Sequence, residues 1–125
     1  MTADVAAAAP SQAGAAAPVF DLEELRQVVG SLDENGRHFL HQFIRSTKPI
    51  VTDIGKAIAA RDRERGRRSI HTAKGAARTI MALELAQLFA DLEQCIMSED
   101  WVGAQAGYAA IGPAWTRAEE FVAKV

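Results

Sequence analysis

The sequence has few of the features that secreted or membrane-spanning proteins need. It contains one cysteine, Cys95, so no disulfide can form within the chain, which fits a reducing compartment. No apolar run approaches the roughly 20 residues that a membrane-spanning helix requires. The first residues carry Asp4 and no basic cluster, and Pro10 and Pro18 interrupt their alanines, which is not the pattern of a signal peptide. We therefore expect a cytoplasmic protein that makes no contact with membranes.

Two further absences limit the chemistry. The sequence has no phosphate-binding Gly-Lys-Ser/Thr loop and no Gly-x-Gly-x-x-Gly motif after a strand. No stretch alternates apolar and polar residues for long enough to form a sheet. The sequence therefore predicts an all-α protein without an ATP site.

The apolar residues that are present fall at helical spacing from about residue 19 onward. Residues 1–18 are rich in alanine and also contain proline, glycine and serine, so we expect a disordered tail there. Residues 19–125 are expected to form one helical domain. Its first helix is short and expected to close one end of a bundle.

Capping residues and prolines predict where the helices begin and bend. Asp21 is the expected N-cap of the first helix and Asp33 that of the second. Pro49 lies within the long apolar stripe of the second helix and predicts a kink or break near Thr47–Lys48. Gly112-Pro113 predicts a bend, or two collinear segments, in the last helix.

The stretch from residue 69 to residue 93 carries the candidate chemistry. If it is helical, one face bears a polar set, which is continued one turn earlier by Arg67 and Arg68: His71, Lys74, Gly75 and Arg78. The opposite face bears apolar residues at core spacing: Ile70, Ala73, Ala77 and Ile80. The pattern thus predicts an imidazole on the wet side of a helix, with a cation one turn after it.

Each member of this polar set has a possible use. Neutral histidine is a nucleophile near pH 7, and a nearby ammonium group stabilises phosphate on its ring. Glycine inside a helix costs about 1 kcal/mol relative to alanine, and close approach of a partner backbone to Gly75 would explain it. The alternative interpretation is a solvated helix face with an incidental histidine.

Basic residues are concentrated around this face, although the formal net charge of the chain is −2. Seven of its 14 basic residues lie between Arg61 and Arg78, against two acidic residues, which gives a local net charge of +5. This basic rim suits an acidic docking partner. No aromatic residue is interleaved with the charges, so we do not predict a nucleic-acid site. His38 and His41 have the spacing of half a metal site, but no third ligand is evident, and we predict no metal.

The central stretch resembles the histidine-containing phosphotransfer (HPt) domains of two-component phosphorelays. Their pattern is His-x-x-Lys-Gly, small residues, a turn, and a helix whose leucines end near Leu-Glu. This chain has His71-Thr72-Ala73-Lys74-Gly75-Ala76-Ala77, then Leu85, Leu88 and Leu92-Glu93. The resemblance covers about residues 20–125. One departure is Met81, which stands where many members have a turn glycine, and it brings the geometry of that turn into question.

The resemblance implies an up-and-down four-helix bundle with an extra N-terminal capping helix. It implies that His71 is the phosphorylated nucleophile and that Lys74 stabilises the phosphate. Gly75, Arg67, Arg68 and Arg78 become candidates for docking a receiver domain. The chain would need no cofactor of its own, since the Mg²⁺ is expected on the partner receiver.

The function implied is that of a phosphorelay carrier, without kinase activity, that exchanges a phosphoryl group with receiver aspartates of response regulators or hybrid kinases. A sensor histidine kinase is a second expected partner, and we expect a monomer. Two alternatives stay open: a helical interaction module that is not phosphorylated, and the phosphotransfer domain of a larger histidine kinase.

Overall fold

The computed structural model describes residues 17–29 and 34–125. This part of the chain contains five helices and no strand: α1 (Leu22–Val29), α2 (Glu34–Ala60), α3 (Arg63–Thr79), α4 (Leu83–Met97) and α5 (Trp101–Ala123). The expected all-α class is confirmed. The predicted tail lies almost wholly outside the described residues and the predicted cap at Asp33 lies outside them, so both remain predictions.

Helices α2 to α5 form a four-helix bundle. Each packs against the next along the chain, and α5 packs back against α2. The turns between them are two or three residues long, which places successive helices side by side and antiparallel. Helix α1 contacts α2 at one end. The up-and-down bundle with a capping helix is therefore confirmed.

The core is built from one apolar stripe on each helix. Its largest fully buried apolar side chains are Leu25, Leu40, Ile54, Ile70, Leu85, Phe89, Leu92, Ile96 and Ile111. Small alanines at Ala73, Ala77 and Ala104 are also fully buried and let the helices approach closely. Because the apolar face of α3 is turned inward, its opposite, polar face is left toward solvent.

The segment before α1 fastens the capping helix to the turn between α3 and α4. The backbone N–H of Asp21 donates to the carbonyl of Met81, and that of Glu84 donates to the carbonyl of Pro18, both at 2.9 Å. Asp21 also caps α1, since its Oδ1 accepts from the Glu24 N–H at 3.2 Å. The ring of Phe20 stacks on Phe121 at a centroid distance of 4.7 Å and seals that end of the core.

Neither of the two predicted helix breaks is found, while the kink and the bend that were the alternatives stay predictions. Helix α2 runs unbroken through Pro49, and α5 runs unbroken through Pro113. Proline removes one backbone hydrogen bond from a helix interior. Buried side chains lie on both sides of Pro49, among them Phe43 and Ile54, and their packing against the bundle holds α2 together across the missing bond.

The turn at Met81 forms although the residue is not glycine. Met81 adopts a φ of 60°, in the left-handed region that costs a side-chain-bearing residue roughly 1–2 kcal/mol. Its side chain is partly buried against the core, and its carbonyl accepts the bond from Asp21. These contacts offset the backbone strain. None of the helices in the described part of the chain is both long and apolar enough to cross a membrane.

Replacing Arg117 by methionine is expected to destabilise the bundle by about 1–2 kcal/mol. Arg117 donates two hydrogen bonds, at 3.0 and 2.8 Å, to the carboxylate of Glu84, whose side chain is only 8% exposed. Removing the guanidinium leaves that carboxylate unpaired in a largely buried place. Equilibrium denaturation in urea measures the loss.

The matched control for this prediction is the double variant Glu84→Gln/Arg117→Met. It removes the charge that the single variant strands, so it is expected to recover part of the lost stability. A single variant as stable as the wild type would mean that water, and not Arg117, solvates Glu84.

Candidate functional site

The candidate site lies on the outward face of α3. Asp62 starts this helix, because its Oδ1 accepts from the Arg65 N–H at 3.1 Å. Ile70 and Ala73 are fully buried on the inner side, as the spacing predicts. His71 therefore stands on the outer side, and 73% of its side chain is exposed.

Lys74 lies one turn after His71 and turns toward α4. Its ammonium group is hydrogen-bonded to Oε1 of Glu93, and the two side chains are only 16% and 15% exposed. Such a shielded, charge-assisted contact is stronger than a surface ion pair. The charge of Lys74 is thus already matched by a carboxylate in this structure.

The same carboxylate faces the histidine ring. Oε2 of Glu93 lies 3.7 Å from Nδ1 of His71, which is too long for a hydrogen bond but close enough for an ion pair when the ring is protonated. Because Nδ1 faces Glu93 and the ring is mostly exposed, Nε2 is the nitrogen left toward solvent. Because the negative charge of Glu93 faces Nδ1, it favours the neutral form of the ring that carries its proton on Nδ1. The lone pair is then on Nε2.

Gly75 borders open space. A Cβ added to it would meet no atom within 4 Å, apart from its own helix backbone. Gly66, on the same helix, differs sharply, because its added Cβ would lie 3.1 Å from Cγ2 of Ile96. Packing inside the bundle therefore explains Gly66 and does not explain Gly75.

The arginines of α3 separate into paired and unpaired groups. Arg67 donates to Oε1 of Glu64, and this contact lowers the pKa of the Glu64 carboxyl and raises that of the guanidinium. Arg65 donates to Oδ1 of Asp53 on α2, and the Ser69 hydroxyl donates to Oδ2 of the same carboxylate at 2.6 Å. The two contacts hold the pKa of Asp53 below its usual value.

Arg68 and Arg78 make up the unpaired group. Both are exposed, and neither forms a side-chain hydrogen bond or ion pair with any residue that the structure describes. Of the predicted docking arginines, Arg67 is therefore held by its own helix, while Arg68 and Arg78 can reach a partner.

A shallow cleft continues the α3 face along the groove between α3 and α4. It encloses about 290 Å³ and is lined by Ala17, Arg78, Leu83, Ala86, Gln87 and Ala90. Its floor is made of small apolar side chains, and Arg78 supplies its positive charge. The region from His71 through Gly75 to this cleft is a surface that another protein can cover.

The histidine pair on α2 has the spacing of half a metal site. His38 and His41 are both exposed, and His38 lies against the ring of Phe39 with a centroid distance of 6.2 Å. Within residues 17–29 and 34–125, no group of three or more His, Cys, Asp or Glu side chains is arranged to hold a metal ion.

A family model described as the Hpt domain matches residues 38–119. The chain belongs to the Hpt family. This Hpt match includes the whole of α3 and α4, and with them the His71 face and Glu93. Membership gives the chain a role in phosphotransfer within two-component systems, where Hpt domains interact with receiver domains and kinases. No curated protein and no solved structure matches the chain.

Glu93 is the member of this Hpt site to which the sequence analysis assigned no role. It appeared there only as the end of the leucine-bearing helix. The sequence does show that α4 carries acidic residues, and an acidic residue that faces Lys74 from an antiparallel neighbouring helix would pair with it. The register between the two helices decides which acidic residue it is, and only the fold supplies that register.

Proposed function

We propose that this Hpt domain is a phosphorelay carrier and that His71 is its phosphoryl acceptor. The observation that supports this most strongly is the exposed imidazole in the middle of α3, with Nδ1 toward Glu93 and Nε2 toward solvent. Its proposed partners are receiver domains of response regulators or hybrid kinases, and a sensor histidine kinase. We further propose that it acts as a cytoplasmic monomer.

The transfer step follows from the two ring nitrogens. The Nε2 lone pair of neutral His71 attacks the phosphorus of a receiver aspartyl phosphate. The N–P bond forms as the acyl O–P bond breaks, and the aspartate leaves as a carboxylate. The ring keeps its proton on Nδ1 and becomes a cation, which the carboxylate of Glu93 at 3.7 Å stabilises. The return step, from His71 to another receiver, runs through the same arrangement in reverse.

Positioning and charge carry most of the catalysis in a phosphoryl transfer. His71 is held on a rigid helix, and Gly75 leaves the space beside it open. Lys74 is the proposed phosphate-stabilising cation. To act in that way, its ammonium must share its hydrogen bonds between Glu93 and the phosphoryl oxygens, which three N–H donors allow.

The test of this function is transfer of label from phosphorylated receivers. Purified receiver domains are charged with radioactive phosphate and mixed with the protein, and the label on the protein is followed. A label that is labile to acid, stable to base and located on the peptide containing His71 supports the proposal. Absence of label from every receiver of the source proteome would favour an interaction module that is not phosphorylated.

Lys74→Ala is expected to shorten the lifetime of the phosphohistidine and to slow transfer by about tenfold, the equivalent of about 1.4 kcal/mol, because one charge-assisted contact to the phosphate is lost. The variant should remain folded. It should lose about 1–2 kcal/mol of stability, since Glu93 is left partly buried without its partner. Half-life of the label and urea denaturation measure the two effects.

Two controls separate these effects. Lys124→Ala removes an exposed lysine beyond α5 and should change neither quantity. Lys74→Ala/Glu93→Gln removes the stranded charge, so it should regain stability while the phosphohistidine stays short-lived. An unaltered lifetime and transfer rate in Lys74→Ala would contradict its role at the phosphate.

A further inference from the structure

Of the cations beside His71, one has no partner within the described part of the protein. Three cations lie within one turn of His71 on α3, namely Arg67, Arg68 and Lys74. The Arg67 guanidinium is bonded to Glu64, and the Lys74 ammonium is bonded to Glu93. Arg68 has no ion-pair or hydrogen-bond partner for its side chain among the described residues.

Arg68 also lies on the side of His71 that is turned away from Lys74 and its contact with α4. In an α-helix it is displaced about 60° around the axis from His71, in the opposite direction from Lys74. Lys74 turns toward α4, whereas the exposed Arg68 and open Gly75 both flank the other side of the ring. Residues three apart on a helix have Cβ atoms about 5–6 Å apart, so the side chain of Arg68 is long enough to reach a group bound to the imidazole.

The local charge favours such a contact. Glu64 lies one turn before Arg68, and the charge of Arg68 contributes to lowering its pKa, but its carboxylate is hydrogen-bonded to Arg67. The Lys74–Glu93 pair contributes no net charge, whereas a phosphoryl group on Nε2 brings two negative charges. A guanidinium donates two parallel N–H bonds to phosphate oxygens and stays charged at any accessible pH.

We propose that Arg68 is a catalytic residue whose guanidinium binds the phosphoryl oxygens of phosphorylated His71. This inference rests on the proposed function and adds to it a phosphate contact beyond that of Lys74. Arg68 forms and breaks no covalent bond. Its hydrogen bonds lower the free energy of the phosphohistidine relative to the aspartyl phosphate of the receiver. They also reduce the negative charge on the phosphoryl oxygens. Because that charge helps to break the N–P bond, the hydrogen bonds slow hydrolysis of the phosphohistidine.

The equilibrium of phosphoryl exchange separates this role from docking. A residue that only docks the receiver changes the forward and reverse rates by the same factor and leaves the equilibrium constant unaltered. A residue that contacts phosphate on His71 shifts that constant. The experiment mixes wild-type, Arg68→Gln or Arg68→Lys protein with a receiver domain charged by acetyl phosphate. It then measures the distribution of label, and separately the half-life of the phosphohistidine in isolated protein.

Arg68→Gln is expected to shift the distribution about tenfold toward the receiver and to shorten the half-life of isolated phosphohistidine. Arg68→Lys should have a label distribution and a phosphohistidine half-life close to those of the wild type, because it keeps the positive charge. Arg26→Gln, which removes an exposed arginine from the capping helix α1, should match the wild type. Arg68 is exposed, so its variants should fold.

The remaining outcomes each overturn a different statement. If Arg68→Gln slows exchange equally in both directions and leaves the equilibrium and half-life unaltered, Arg68 only docks the receiver and the proposal is wrong. If Arg68→Gln matches the wild type throughout, Arg68 has neither role. If the wild-type protein takes no label from any charged receiver, the proposed function itself fails.

Discussion

His71→Gln is expected to accept no phosphate while remaining folded. Glutamine fills a similar place on an exposed helix face but has no nucleophilic ring nitrogen. With 73% of its side chain in solvent, His71 contributes little to stability, so the free energy of unfolding should change by less than about 0.5 kcal/mol. Label transfer from a charged receiver and thermal unfolding followed by circular dichroism measure the two quantities.

The chain supplies its own matched control in His38→Gln. His38 is also an exposed histidine on a helix, on α2, and carries no proposed role. It should accept label at the wild-type rate. Label that persists on His71→Gln and disappears from His38→Gln would move the acceptor to α2 and contradict the assignment.

Gly75→Gln is expected to weaken receiver binding by tenfold or more, about 1.4 kcal/mol, without unfolding the domain. The glycine borders open space, so a longer side chain meets no atom of the bundle. It does stand beside His71, where the receiver's aspartate must approach. Calorimetric titration with the receiver measures affinity, and the melting temperature reports on the fold.

Two alanine variants show whether the glycine serves docking or packing. Gly75→Ala should raise the free energy of unfolding by up to about 1 kcal/mol, since alanine is the better helix former and nothing obstructs it. Gly66→Ala should gain less or lose stability, because its Cβ would press on Ile96. Wild-type receiver affinity in Gly75→Gln would mean that the open space is not used for docking.

Sequence periodicity predicted the helices and the two faces of α3 because both depend on local spacing, whereas the bundle was expected from the family resemblance. Ile70 and Ala73 are buried and His71 is exposed, as their positions on a helix require. The open surroundings of Gly75 fit the expectation of a docking glycine, although its role stays a proposal. The burial of Ile70 and Ala73 and the exposure of His71 follow from the helical spacing of neighbours three or four residues apart, and both were predicted correctly.

The features that the sequence did not reveal depend on contacts between distant segments. The pairing of Lys74 with Glu93, 19 residues away, requires the register of two helices. Pro49 was expected to kink or break α2, and packing of buried side chains against the rest of the bundle keeps the helix unbroken there. The Met81 turn is held partly by the hydrogen bond that the Asp21 N–H donates to the Met81 carbonyl. Asp21 is distant from Met81 in the sequence.

The short turns of the bundle bear on how quickly it can form. Two or three residues connect each pair of successive helices from α2 to α5, so most of the interhelical contacts join segments that are adjacent in sequence. Domains with such a low contact order fold in microseconds to milliseconds. The seam between α2 and α5 joins the first and last helices of the bundle, whereas the helix carrying His71 packs between the two helices that adjoin it in the sequence.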